Sequence, residues 1–198
     1  MKTTSLNGKW TLLGNIENGD KISITATVPG TVHTALSESG IIGDMFWDKN
    51  ADSVSWIEDN SWEYRRDFDI TDDYNKLEIE FKGLDTYCVV YVNEEKIASC
   101  DNMHITYTLD ITEYAKKGTN TVRLVFLPPV AQEKKIPAGE CGGVFSINRF
   151  YTRRMQCTYG WDWVNRFVTM GIWRDVTLYA DRYVKIDCLQ AVTEGITA

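Results

Sequence analysis

The chain has 198 residues, 43% of them hydrophobic and 25% charged, with a formal net charge of −7. That length holds one sizeable core without staples, and the balance is ordinary for a globular domain. The acidic excess, with no Lys/Arg cluster longer than a pair, argues against a nucleic-acid partner. No apolar run approaches the ~20 residues of a spanning helix, so no membrane partner is expected.

From the N-terminus, MKTTSLNGKWTLL has a lysine but no apolar core of a signal peptide, and strand-like sequence starts almost at once. This fits a cytoplasmic protein or a mature periplasmic or secreted one. KWTLL and ISITATV read as short strands. TVHTALSES reads as one or two helical turns with Thr31 as cap. A long irregular stretch then runs from about Ser39 to Asn60. WEYRRDFDI alternates, with Trp62, Tyr64, Phe68 and Ile70 on one face and Arg66 as the exception among them; an acidic partner is expected for that arginine. KLEIEFKG alternates as well. TYCVVYVNEEKIAS is apolar on both faces up to Val92, turns at Asn93–Glu95 and returns, as an inner strand and hairpin do. HITYTLDI, NTVRLVFL, WRDVTLYA and YVKIDCL are further strands, and DITEYAKKG is a single crossing turn that Gly118 stops. A second long loop runs from Pro128 to about Ile147. Eight or more short strands with excursions of this kind predict an all-β jelly-roll β-sandwich with short helical turns and two long loops.

Chemistry concentrates in CTYGWDWVNRFVTMGIW, residues 157–173, where Trp161 and Trp163 flank Asp162. Aromatic faces stack on the C–H surface of a sugar, and an ionised carboxylate accepts hydrogen bonds from two adjacent hydroxyls. The same tripeptide can equally be two core tryptophans around a turn-capping acid. Glycosidase chemistry needs two carboxyl groups across one bond. The other acids lie at alternating strand positions or in turns, and none is marked as a partner of Asp162. No catalytic residue is therefore expected in this chain. Cys157 with His33 or His104 is a conceivable nucleophile pair, against a packed thiol. Five cysteines without a CxxC pair argue against a disulfide framework, and Cys88 and Cys188 read as small hydrophobes. Two distant histidines make a poor zinc site, so no metal or other cofactor is expected. Arg66 reads as one half of a structural ion pair; Arg153 and Arg154, leading into the tryptophans, stay open.

Four stretches together resemble the N-terminal sugar-binding domain of the β-mannosidase branch of glycoside hydrolase family 2. They are LNGKW with VPGTVHTAL; DMFWDKNADSVSWIEDNSWEYRRDF; FKGLDTYCVVYVNEEKI with MHITYTLDIT and KGTNTVRLVF; and GECGGVFSINRFYTRRMQCTYGWDWVNRFVTMGIWRDVTL. The resemblance covers about residues 5–181. It departs at Val164–Asn165, where the family commonly has Gly-Pro, and at Asp44-Met45-Phe46, which lacks the family's proline.

The resemblance implies a galactose-binding-domain-like jelly roll over residues 1–181, with 182–198 as exit strand or linker toward a following domain. It implies a non-catalytic role in a retaining exo-glycosidase whose acids lie on a barrel beyond an immunoglobulin-like domain, both downstream partners. A barrel needs about 250 residues. The implied ligand is a terminal β-linked, mannoside-like sugar, with Asp162 binding its hydroxyls and Trp161 shaping the pocket wall, while Trp163 and Trp173 face the core. The rivals are a free-standing carbohydrate-binding module and a purely structural domain of a β-galactosidase-like enzyme.

Overall fold

The computed structural model describes residues 2–16, 19–137, 147–181, 186 and 188–195, with side chains at 147 and 148 set aside. Twelve strands lie in the described residues: β1 Lys2–Ser5, β2 Gly8–Asn15, β3 Lys21–Val28, β4 Trp62–Ile70, β5 Leu77–Phe81, β6 Leu84–Asp85, β7 Cys88–Val92, β8 Glu95–Cys100, β9 Tyr107–Asp110, β10 Gly118–Phe126, β11 Gly171–Ile172 and β12 Val176–Ala180. A six-stranded sheet has the order β3-β2-β4-β10-β7-β8, a four-stranded sheet β1-β12-β5-β9, and β6 pairs with β11 at one end. Every strand pairing is antiparallel. This is the expected all-β sandwich.

Period-2 patterning decides what faces inward. Trp62, Tyr64, Phe68 and Ile70 of β4, Val122, Leu124 and Phe126 of β10, and Cys88, Val90 and Val92 of β7 are buried on the large sheet. Leu77, Ile79 and Phe81 of β5 and Val176 and Leu178 of β12 are buried on the small one. The Tyr64 and Phe126 rings meet edge to face, with centroids 5.5 Å apart. Each such side chain contributes about 1.5–3 kcal/mol by leaving water. The hairpin closes on Asn93 and Glu94, at φ 49° and 68°, and Val92 pairs with Glu95. Two positive φ values suit the right-handed twist of the strands they join.

Arg66 corrects an expectation. Its Nη1 donates to the carbonyls of Leu6, Asn7 and Lys9 at 3.0, 2.8 and 3.3 Å, and no carboxylate among the described residues pairs with it. Backbone carbonyls around the start of β2 take the place expected of an acid.

Both long loops carry short helices. The first holds α2 (Asn50–Ser53) and a 3-10 turn at Ser55–Asp59. The second begins with α3 (Pro129–Glu133), where proline at the first position costs no hydrogen bond; its residues 138–146 lie outside those described. The helix after Thr31 forms as α1, Val32–Glu38, and Thr31 and Thr34 cap each other reciprocally. In what was read as a strand at YVKIDCL, residues 186, 188 and 189 carry no regular structure, and the rest lies outside the described residues. Cys188 is exposed there, not packed as a small hydrophobe, whereas Cys88 is buried.

Candidate functional site

The W-D-W element is a tight turn at the surface. Trp161 N–H donates to Val164 O at 3.0 Å and Val164 N–H returns to Trp161 O at 3.3 Å, leaving Asp162 and Trp163 at the tip. Gly160, at φ 94°, opens the turn in a conformation that favours glycine. Trp161 is 42% exposed and Trp163 80%, their rings meeting at 5.9 Å. Trp163 thus does not face the core as expected: a two-residue tip leaves no neighbouring element to cover it. Trp173 is half-buried, its ring lying where a Cβ on Gly83 would stand 2.5 Å from Nε1. Asp162 is exposed, and none of the described residues holds its carboxylate by a hydrogen bond or ion pair.

A second aromatic pair flanks this turn. Phe46 and Trp47 are each 72% exposed, and the Phe46 ring meets Phe167 at 5.4 Å. Phe167 in turn meets the buried His33 of α1 at 5.9 Å. Arg166 ties the returning leg of the turn to the first long loop through Glu58 at 2.5 Å.

Beneath the turn lies a buried polar cluster that the sequence reading left unassigned. Arg154 is buried, with Nη2 donating to Thr169 O at 2.8 Å and to Asp85 Oδ2 at 3.3 Å. Thr169 Oγ1 donates to the same carboxylate at 2.6 Å, and Thr86 Oγ1 donates to its other oxygen. Removing one partner of such a desolvated pair costs about 3–5 kcal/mol. Arg153, its neighbour, is exposed. Tyr159 is buried and its hydroxyl donates to the buried Glu133 of α3; burial holds the phenol well above its usual pKa. Nothing in the sequence marked Asp85, Glu133 or Tyr159, because each partner comes from a distant segment.

Burial, assisted by the Arg154 charge, lowers His33 to about 4, so it is neutral near pH 7. His33 sits against Phe167, His104 is exposed, and no hydrogen bond among the described residues joins either to Cys157. The nucleophile pair is not assembled. Cys88 and Cys100 oppose each other across β7 and β8; burial raises Cys88 well up and Cys100 to about 12, so both stay thiols. Among the described residues no group of three or more His, Cys, Asp or Glu side chains could hold a metal ion.

The fold is an antiparallel β-sandwich that carries an exposed aromatic–acid–aromatic turn. Residues 10–174 match the family model described as glycosyl hydrolase 2 galactose-binding domain-like, and the chain belongs to that family. It is similar to the β-mannosidase of Capra hircus, 34% identical over 89% of this chain and 21% of the relative, and to that of Mus musculus, 32% identical over 93% and 22%. The chain therefore spans about a fifth of the length of these curated relatives. Among solved structures, a β-D-mannosidase from Dictyoglomus thermophilum superposes with a TM-score of 0.84 at 33% identity, over 91% of this chain and 23% of that one. An exo-chitosanase from Amycolatopsis orientalis shares the fold, with a TM-score of 0.68 at 21% identity, over 91% of this chain and 21% of that one.

Proposed function

We propose that this chain is the non-catalytic sugar-side domain of a retaining exo-glycosidase of β-mannosidase type. Its W-D-W turn lends Asp162 to a site whose catalytic acids lie on a downstream barrel beyond an immunoglobulin-like domain. Residues 1–181 form the domain, and 182–198 lead toward its neighbour. Asp162 accepts hydrogen bonds from hydroxyls of the terminal, mannoside-like sugar, and Trp161 forms a wall.

The observation that carries this reading is the state of Asp162: an exposed carboxylate at the tip of a two-residue turn, between two exposed tryptophans, held by no described side chain or backbone group. A structural acid is held by its own protein; this one faces outward. The relatives at 32–34% identity, all β-mannosidases, support the sugar class.

The test is Asp162→Ala in the glycosidase that carries this domain. Hydrogen bonds to a charged group contribute about 1.5–3 kcal/mol each. Losing one lowers kcat/KM on an aryl β-mannoside by roughly ten- to two-hundred-fold, with the thermal midpoint unmoved. A large thermal loss with intact kinetics would contradict the sugar contact.

A further inference from the structure

The turn that carries Asp162 is exposed and short, so something must fix the direction in which it points. The geometry points to Tyr159 as that positioning residue: its buried hydroxyl, donating to Glu133, and its ring, framed by three guanidiniums, anchor the base from which the W-D-W turn projects. The functional weight of this inference rests on the sugar-contact reading of Asp162; the anchoring itself does not.

Three arginines from three segments converge on one phenol ring. The guanidinium carbons of Arg149, Arg154 and Arg166 lie 5.6, 5.3 and 5.5 Å from its centroid. A cation over an aromatic face is attracted by its quadrupole, more so when desolvated. Three cations around one ring repel one another unless acids intervene, and acids are in place. Asp85 takes Arg154 at 3.3 Å, Glu58 takes Arg166 at 2.5 Å, and Glu133 receives the Tyr159 hydroxyl.

The anchor is also tied to both legs of the turn through its backbone. Arg166 Nη1 reaches Tyr159 O at 3.5 Å, and Phe167 N–H donates to Thr158 O at 2.9 Å. Gly160 follows at once and the hairpin begins at Trp161. A rotation at Tyr159 is therefore a rotation of the whole tip. The ring alone could be read as ordinary core packing. The hydroxyl cannot, because a buried phenol directed at a buried carboxylate on α3 fixes the direction and depth of the ring's far end.

The experiment is residue-resolved amide hydrogen exchange on this 198-residue chain, comparing the unaltered protein with Tyr159→Phe and Glu133→Leu. Both remove the same hydrogen bond, from opposite ends, and Tyr159→Phe keeps the ring among its guanidiniums. Leu178→Ala on the small sheet serves as a variant destabilised far from the turn. In both anchor variants the amides of Gly160, Trp161 and Phe167 should exchange at least about five-fold faster, while the β4–β10 amides keep their rates. In Leu178→Ala the turn amides should speed up only as much as the rest of the molecule. Unchanged exchange at the turn in Tyr159→Phe, or acceleration spread evenly over the sheets, would overturn the inference. Accelerated exchange together with intact mannoside kinetics in Asp162→Ala would leave the anchor standing and remove the sugar contact.

Discussion

Asp162 and Tyr159 stand three residues apart in opposite surroundings: one carboxylate in water, one phenol in the protein. The change comes at Gly160, whose positive φ turns the chain outward. His33 shows what burial does to a titratable side chain with no hydrogen-bond partner at Nδ1 among the described residues. Its pKa falls from 6.5 to about 4, first through desolvation and then through the Arg154 charge. Between those values the unfolded chain takes up a proton that the folded chain refuses. Stability is therefore fully present above pH 6.5, drains as pH falls toward 4, and is lost below, by on the order of 3 kcal/mol from this group. His33→Phe keeps an aromatic ring against Phe167 and removes the proton acceptor. Urea midpoints at pH 7 and pH 4.5 should show the variant losing clearly less stability than the unaltered chain; parallel losses would contradict it.

Among the elements, long alternating strands were legible and short ones were not. WEYRRDFDI and KLEIEFKG announce β4 and β5 because, Arg66 apart, every second side chain enters the core. β6 and β11 are two residues each and carry no period; their pairing is visible only in three dimensions. They matter because they brace α1: Gly30 N–H donates to Ile172 O and Val32 N–H to Met170 O, both at 2.8 Å. At Gly171, φ is 150°, and a Cβ would lie 2.6 Å from Gly30 O and 2.8 Å from Thr31 Cα. Those are backbone atoms at a helix cap, with no flexible end to swing away. Gly171→Ala should cost about 2–4 kcal/mol in chemical unfolding, and a loss below about 0.5 kcal/mol would show that the cap moves freely. In the candidate site, the aromatic–acid–aromatic pattern at Trp161 and Asp162 was legible, but its placement on an exposed two-residue tip was not. Trp163 was misread as core because hydrophobicity does not say which side of a turn a ring takes. The Arg154–Asp85 and Tyr159–Glu133 pairs were hidden because a contact across 69 or 26 positions leaves no local trace.

On the proposed function, the exposed W-D-W turn supplies only part of a sugar site, and small-molecule sites normally bury most of their ligand. The isolated 198-residue chain should therefore bind mannose no better than about millimolar, and purified it should turn over no aryl β-mannoside. Calorimetry giving micromolar affinity for any monosaccharide would favour a free-standing binding module, and turnover abolished by mutating an acid of this chain would end the non-catalytic reading. Whether Asp162 reads the substrate across a domain boundary is decided by a crystal structure of the complete glycosidase with a mannose-configured inhibitor in its active site. An Asp162 carboxylate oxygen is expected within about 3.2 Å of a hydroxyl of the terminal sugar. An inhibitor bound in the barrel with Asp162 more than about 6 Å from every hydroxyl, too far for even one bridging water, would contradict it.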